Sequence, residues 1–375
     1  MIKIRKVNTR KELQAFIQFY YDLYRGNQFA VPYLYSDEMA TLRRDKNPSF
    51  ECCEAEYFLA YKDNEIVGRV AAIINRRANE RWNCHQVRFG WFDFIDDPEV
   101  PKALLKAVED WGVAKGMTEI AGPLGFIDTD REGLLIEGFD ELSTMYVNYN
   151  YPYYQKHIEQ LGFNKDNDYL EYKVKVPEKF SKVTQMVAKR YGLRVHKFTR
   201  DELIKQGLGH EVFRLLNATY KDLYGFSELS DSQVNRLVND YIKIADLNLV
   251  TAIMDGDKMV GFGITFPSFS RALQKTRDGR FLPFGWWHLL KILKWHKTPI
   301  VDLLLIGVLP EYRPKGANAL IFDDLIRQFQ AYGFEWAITG PQMETNEGVL
   351  SQWQYLESYP CRRHRCYRKI LKQKE

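Results

Sequence analysis

The sequence has 375 residues and lacks every cysteine spacing that would mark a metal site or a disulfide framework. Cys52, Cys53, Cys84, Cys361 and Cys366 are odd in number, and His364 between the last two does not complete a zinc pattern. The expectation is therefore no metal and a reducing, cytoplasmic setting. There is also no apolar run of about eighteen residues, so no membrane-spanning helix is expected. Charged residues interrupt the first twenty positions, where a secretory leader would carry its apolar stretch. A net charge of +4 is too mild to argue for nucleic acid, and none is expected as a partner.

What is abundant is aromatic surface. Phe, Trp and Tyr make up 14% of the chain, enough to build large apolar pockets or interfaces. The length exceeds what one core usually serves and predicts two domains. Thr9 and Glu12 read as a capping box opening a helix over residues 10–25. Strands follow at 57–61, 66–75 and 87–95, then a helix from Asp97-Pro98 with Leu104, Ala107, Val108 and Trp111 on one face. Residues 122–150 form a long excursion rich in glycine, acids and aromatics, too long to be an ordinary connection. A helix over 153–161 and a strand over 169–176 close this half.

Residues 177–191 read as a linking helix, and the order then repeats. Strand 193–198, helices within 201–224 and 230–245, a hairpin at 249–254 and 259–266, strand 301–308, helix 316–332, strand 335–339, helix 346–358 and strand 367–371 complete it. The repeat lies in element order, with little shared identity. It places domains at 1–176 and 177–375 in an α/β (α+β mixed sheet) class. The basic tail Arg362–Lys374 reads as solvated charge.

The sharpest local signal is LLLIGVLPEYRPKGANAL, Leu303 to Leu320. A buried strand runs into a turn with Arg313, Lys315 and Gly316, and then into a helix. Backbone N–H groups at such a helix mouth point at an anion, and Gly316 lets a phosphate come close. The turn is a pyrophosphate cradle in mechanism and is not a Walker loop.

This stretch resembles motif A of the GNAT acyltransferases, carried by Val308, Pro310, Tyr312, Arg313 and Gly316. Asn318 departs from the usual Gly or Ala, while Ala317 and Ala319 keep the helix start slim. The resemblance implies two tandem GNAT-like domains with acyl-CoA or acetyl-CoA as co-substrate. Ile306, Gly307 and Val308 would pair with the pantetheine arm, and Arg313, Lys315, Gly316, Ala317 and Asn318 would hold the pyrophosphate. Asn346 and Tyr355 would sit near the cofactor and the departing thiolate. The first copy has Asp96, Asp97 and Glu99 at the matching helix start, which suits the helix dipole and repels a pyrophosphate. It is expected to be degenerate and to shape the acceptor site.

An amine must lose a proton to attack a thioester, so a carboxylate base is expected. Asp302 and Glu344 are candidates in the second half, Glu137 and Asp140 in the excursion, and Tyr355 is the candidate acid for the thiolate. Residues 281–297, FLPFGWWHLLKILKWHK, place Trp286, Leu289, Leu290 and Leu293 on one helical face. The segment suits either a helix packed on the partner domain or an interfacial helix at the inner membrane face. The chain as a whole is similar to tandem GNAT proteins that include bacterial ceramide synthases, through Glu137–Asp140 (EGFD) and the PFGW stretch. That resemblance implies transfer to a primary, long-chain amine. A small-molecule N-acetyltransferase, a Fem-like aminoacyl transferase and a non-catalytic acyl-CoA-binding protein are the alternatives. The donor is coenzyme A or acyl carrier protein.

Overall fold

The computed structural model describes residues 1–178 and 190–371, with the side chains of Glu347 and Tyr355 outside that description. Its strands form one mixed sheet. The first half supplies β1 (Lys3–Lys6), β2 (Cys53–Lys62), β3 (Glu65–Asn75), β4 (Gln86–Phe94), β5 (Glu119–Gly122), β6 (Leu134–Glu137) and β7 (Asn164–Lys175). The second supplies β8 (Leu193–His196), β9 (Val250–Asp255), β10 (Lys258–Pro267), β11 (Ile300–Val308), β12 (Trp336–Thr339), β13 (Gln342–Met343) and β14 (Ser358–Ile370). The sheet runs β1-β2-β3-β4-β5-β14-β7-β12-β11-β10-β9-β8, with β6 beside β14 and β13 beside β7. Among the described residues, β4–β5 and β11–β12 are the parallel pairs.

Local chemistry explains the elements. Glu12 N donates to Thr9 Oγ1 at 3.2 Å and Thr9 N to Glu12 Oε2 at 2.9 Å, the reciprocal cap that opens the helix Arg10–Leu23. Asp63 and Asn64 both take positive φ, which turns β2 into β3 with the twist a two-residue hairpin needs. Each half lays one long helix across the middle of its sheet. Helix Glu99–Ala114 crosses β3 at Gly68, where an added Cβ would lie 2.8 Å from Val100 Cγ1. Helix Ala317–Tyr332 crosses β10 at Gly263, where an added Cβ would lie 2.7 Å from Ile321 Cγ2. The same close approach at the same place marks the two halves as copies.

The opposite face of the sheet carries helices Arg10–Leu23 and Tyr35–Leu42 in the first half. In the second it carries Leu208–Tyr220, Asp231–Ile244, Ser270–Gln274 and Gly285–Trp295. Ile127, Leu142 and Met145 of the 122–150 excursion pack into the core under these second-half helices.

Two expectations change. Helix 346–358 is a single turn, Glu347–Leu350, followed by the 3-10 turn Ser351–Tyr355. The closing strand is longer than 367–371 and begins at Ser358. It also leaves its own half: β14 inserts between β5 and β7, while β7 leaves the first half to pair with β12. The expected linking helix at 177–191 lies almost wholly outside the described residues.

The described part of the basic tail is not a solvated face. Arg362 is 2% exposed and forms a two-pronged pair with Glu171, Nε to Oε2 at 2.7 Å and Nη2 to Oε1 at 3.1 Å. His364 Nε2 lies 3.0 Å from the same Oε2. One step along, Arg365 grips Asp168 at 2.7 and 2.9 Å. Alternating positive charges on β14 thus meet acids on β7, and charge fixes the register of the exchanged strand. Burial disfavours ionised Glu171, but Arg362 and His364 outweigh it and draw its pKa down to about 2.

Arg362→Met strands a buried carboxylate and should cost about 3–5 kcal/mol in urea unfolding, whereas Glu171→Leu/Arg362→Met together should cost far less. Because the folded pKa of Glu171 is depressed, its contribution is complete above its ordinary 4.5 and is lost as pH falls toward about 2. The wild-type chain should therefore lose stability over that window faster than the double variant.

Candidate active site

The second-half helix mouth is open. Gly316 sits at the N-cap with φ 75°, no side chain caps the helix, and its first turn holds no acid. The amides of Asn318 and Ala319 thus have no intrahelical partner and lie at a partly exposed helix mouth, while Ala317 beside them is buried. Around them, Tyr312 Oη donates to Asp255 Oδ2 at 2.8 Å, and Lys315 Nζ lies 4.2 Å from the Tyr312 ring centre. Arg313 is exposed, and its Nε donates to Val308 O at 3.2 Å.

Beside this mouth the sheet splays. Pairing of β11 with β12 covers Ile300–Leu303 and ends at Leu303 opposite Thr339. The chain after β12 turns away to form β13 against β7. On the other edge of β11, Leu309 N donates to Val260 O at 3.0 Å, so Gly307 bonds across to Phe262. By alternation Ile306 and Val308 face the splay. Tyr220 Oη reaches in and donates to Ile306 O at 3.2 Å. Gly307 is required by packing, since an added Cβ would lie 2.6 Å from Phe262 Cε1 and 2.9 Å from Thr219 Oγ1.

The first half has both features closed. Glu99 N donates to Asp97 Oδ1 at 3.1 Å, and Lys62 binds the other oxygen of Asp97 at 2.7 Å. Its splay beyond Arg88 is filled by the excursion, with Leu124 N donating to Phe89 O at 2.8 Å.

Asp302, on β11 just before the splay, is 4% exposed, and neither carboxylate oxygen has a hydrogen-bond partner. Burial pushes its pKa up to about 7. The nearby Ser268 hydroxyl and Arg362 charge pull the other way without undoing the effect. Glu344 is held by Lys165 at 2.5 Å and by Arg363 at 3.6 Å. Glu137 is exposed and lies 3.2 Å from the same Arg363. Asp140 is exposed at the tip of its turn. Asn346 opens the turn after β13, accepting Val349 N at 3.0 Å and Leu350 N at 3.1 Å on its backbone oxygen. The Tyr355 side chain is outside the described residues. The structure therefore brings Glu137 and Glu344 together on Arg363 and leaves Asp302 alone without a partner.

Two features were missed by sequence reasoning. One is a cavity of about 510 Å³ in the first half, walled by Tyr20, Tyr33, Trp91 and Tyr149 and closed from the second half by Tyr241 and Phe281. Tyr146 lines it, and its buried hydroxyl has no partner. After burial, the charge of Asp302 is the largest influence raising the Tyr146 pKa, although Asp302 does not itself line the cavity. The other is a half-buried acidic run within the excursion, with Asp128 and Glu132 under the influence of Arg88 and with Asp130 accepting from the Phe126 and Ile127 amides. Burial raises Asp128 to about 7. The acids between Phe126 and Gly133 were the available signal for it.

Solved structures share the overall fold of this chain. The chain superposes on a tandem GNAT protein from the clavulanic acid biosynthesis pathway with a TM-score of 0.57, at 10% identity, over all of both chains. The chain has the tandem GNAT fold. A GCN5-related N-acetyltransferase from Anabaena variabilis ATCC 29413 matches with a TM-score of 0.52, at 10% identity, over 99% of this chain and 73% of that one. In sequence, the chain is 28% identical to Protein YghO of Escherichia coli (strain K12), over 98% of this chain and 95% of that protein. It is 27% identical to the bacterial ceramide synthase of Caulobacter vibrioides (strain NA1000 / CB15N), over 83% of this chain and 82% of that protein. No profile of a known protein family matches. Among the described residues, no cluster of three or more His, Cys, Asp or Glu is placed to hold a metal ion.

The raised pKa of Asp302 has a consequence in this tandem GNAT fold that does not depend on activity. Ionising the group destabilises the folded state as pH rises from its ordinary 3.8 through about 7. Asp302→Asn should therefore stabilise the chain by about 2–4 kcal/mol at pH 8, with the gain shrinking toward pH 4, in urea titrations at both pH values.

Proposed function

We propose that the protein is an acyl-CoA-dependent N-acyltransferase whose second half binds the donor and whose first half holds the acceptor, a primary amine on a long apolar chain. The observation that carries this reading is the partnerless Asp302 beside the donor splay, with Tyr146 joining it to the aromatic cavity.

The donor pyrophosphate would take the amides at Ala317 to Ala319, with Arg313 and Lys315 adding positive charge. The pantetheine arm would pair with Ile306 and Val308 along the open edge of β11, displacing the Tyr220 hydroxyl from Ile306 O. The same edge would leave the thioester carbonyl near the Val308 amide, a donor suited to a developing oxyanion. The acceptor enters from the cavity as an ammonium ion. Asp302, titrating near neutral pH in a dry site, takes a proton from it, and the free amine attacks the carbonyl carbon. The C–S bond then breaks, the second proton that the nitrogen sheds in becoming an amide passes to the departing sulfur, coenzyme A leaves as the thiol, and Asp302 returns its proton to solvent.

Aromatic rings such as Tyr20, Tyr33, Trp91 and Tyr149 give part of the cavity an apolar wall suited to an alkyl chain, and Asp37, Asp130 and Asp240 on the same wall suit an ammonium end, which together fit an amphiphilic amine. The similarity to the Caulobacter ceramide synthase supports the same choice.

Transfer from palmitoyl-CoA or acetyl-CoA to a panel of long-chain amines and small polyamines tests the reading, and turnover of polar amines alone would refute the lipid acceptor. Asp302→Asn should lower kcat about 10²–10⁴-fold. The wild-type rate should climb as pH rises through about 7, as Asp302 ionises.

Donor binding is checked separately. Coenzyme A at a hundred times its Kd should stabilise the chain by about 2.7 kcal/mol in a thermal shift. Gly316→Glu should abolish that shift by placing a carboxylate in the cradle. Calorimetry should find one coenzyme A per chain, because Asp97 closes the first-half helix mouth.

A further inference from the structure

The region around helix Gly285–Trp295 contains an apolar surface that nothing in the fold covers. Leu289 and Ile292 are buried and anchor the helix on the second-half core, while Trp286 faces outward, against the one-face pattern read from the sequence. Leu282 is 73% exposed, Phe284 72%, and Phe281, Trp286, Trp287 and Trp295 between 40% and 48%. Isolated exposed apolar residues need no explanation, but six large ones within fifteen positions do.

The charge around them has one sign. From Phe281 to Ile300 the chain carries Lys291, Lys294, Lys297, His288 and His296 and no Asp or Glu. Lys291 Nζ lies 5.0 Å from the Trp287 ring centre and Lys294 Nζ 5.5 Å from that of Trp295. Two ammonium groups thus lie against tryptophan rings, which places positive charge beside the apolar surface. A second copy of the chain seated on this face by two-fold symmetry would set lysines against lysines. An anionic lipid surface would meet both components at once: apolar side chains in the upper acyl region, and lysines at the phosphates.

We propose that this face docks the protein onto an anionic phospholipid bilayer. No helix among the described residues is long and apolar enough to cross one, so the contact is peripheral. Phe281 gives the contact a purpose, since it belongs to the exposed face and also lines the first-half cavity. An amphiphilic amine drawn from the bilayer would enter beside it without crossing water. That delivery step rests on the N-acyltransferase reading; the docking does not.

Co-sedimentation of the full chain with phosphatidylcholine vesicles, with and without phosphatidylglycerol, tests the docking. Binding is expected on the anionic vesicles, weakened by salt, with a blue shift of tryptophan emission. Lys291→Glu/Lys294→Glu and, separately, Leu282→Ser/Phe284→Ser should each weaken binding at least about tenfold, and circular dichroism should show both variants folded. If the wild-type chain binds neither vesicle, or the folded variants bind as it does, the docking proposal is overturned. It is also overturned if ultracentrifugation finds a dimer that the Leu282→Ser/Phe284→Ser variant dissolves. Vesicle binding with no amine acylated would refute the N-acyltransferase reading and leave the docking intact.

Discussion

The insertion of β14 between β5 and β7 is the constraint on which the rest of the molecule depends, because it closes the sheet across both halves. Arginine on an inserted strand would ordinarily be a liability. Here Arg362 and Arg365 meet Glu171 and Asp168 on β7, and a strand slipped by one residue would bury each charge without its partner. The ion pairs therefore select one register. Burial works against the ionised form of Asp168, but Arg365 and Lys165 outweigh it and hold its pKa below the usual carboxylate range. The continuous sheet joins the half that carries most of the cavity wall to the half that carries the lone carboxylate. Arg362 also acts on Asp302 and limits how far burial can raise its pKa.

The two copies diverge at the places where a nucleotide would bind. Both lay a helix across a glycine in the middle of the sheet, and both part their parallel strands. In the first copy the helix mouth is occupied by Asp97 and the splay by Leu124. In the second, Gly316 leaves the mouth uncapped and the chain after β12 turns off to β7. The segment that fills the first splay begins the excursion whose later residues, Met145 and Tyr146, line the cavity.

Much of the fold was legible because its signals are local. The Thr9–Glu12 cap, the Asp63-Asn64 turn and the strand-turn-helix at Gly316 each depend on residues a few positions apart, and the structure has all three. What escaped were features that depend on distant partners. Nothing near Arg362 announces Glu171, 191 residues away, so a run of arginines read as a solvated tail. The same distance hid the exchange of β7 and β14, since their order in the chain is unchanged by it. Asp302 could be named from its place on the strand before the cradle, but its isolation from any hydrogen-bond partner required the packed core. Trp286 was grouped with Leu289 on one helical face by spacing alone, and spacing cannot say which residues of that face find a partner: Leu289 is buried and Trp286 is 48% exposed.

The aromatic excess has two physical uses, and they call for different surroundings. Tyr20, Tyr33, Trp91 and Tyr149 line the cavity wall beside two matched ion pairs, Arg69 with Asp93 at 2.7 Å and Arg131 with Glu38 at 2.5 Å. Asp37 and Asp130 on the same wall have no ion-pair partner among the described residues, so a cationic end of a ligand would be matched there and an apolar part would lie along the rings. Trp286, Trp287 and Trp295 are half exposed, with lysines over two of their rings, which keeps an apolar patch soluble until something replaces the water. Phe281 belongs to both groups and forms the join between them. A ligand that satisfied the patch and then the cavity would need one long apolar part and one polar end able to travel inward. Within the cavity, the polar end would meet the unpartnered hydroxyl of Tyr146 and, beyond it, the unpartnered carboxylate of Asp302. Where Arg69 and Asp93, Arg131 and Glu38, and Arg362 and Glu171 are matched, the vacant hydroxyl of Tyr146 and carboxylate of Asp302 mark where a substrate's own polar atoms would belong.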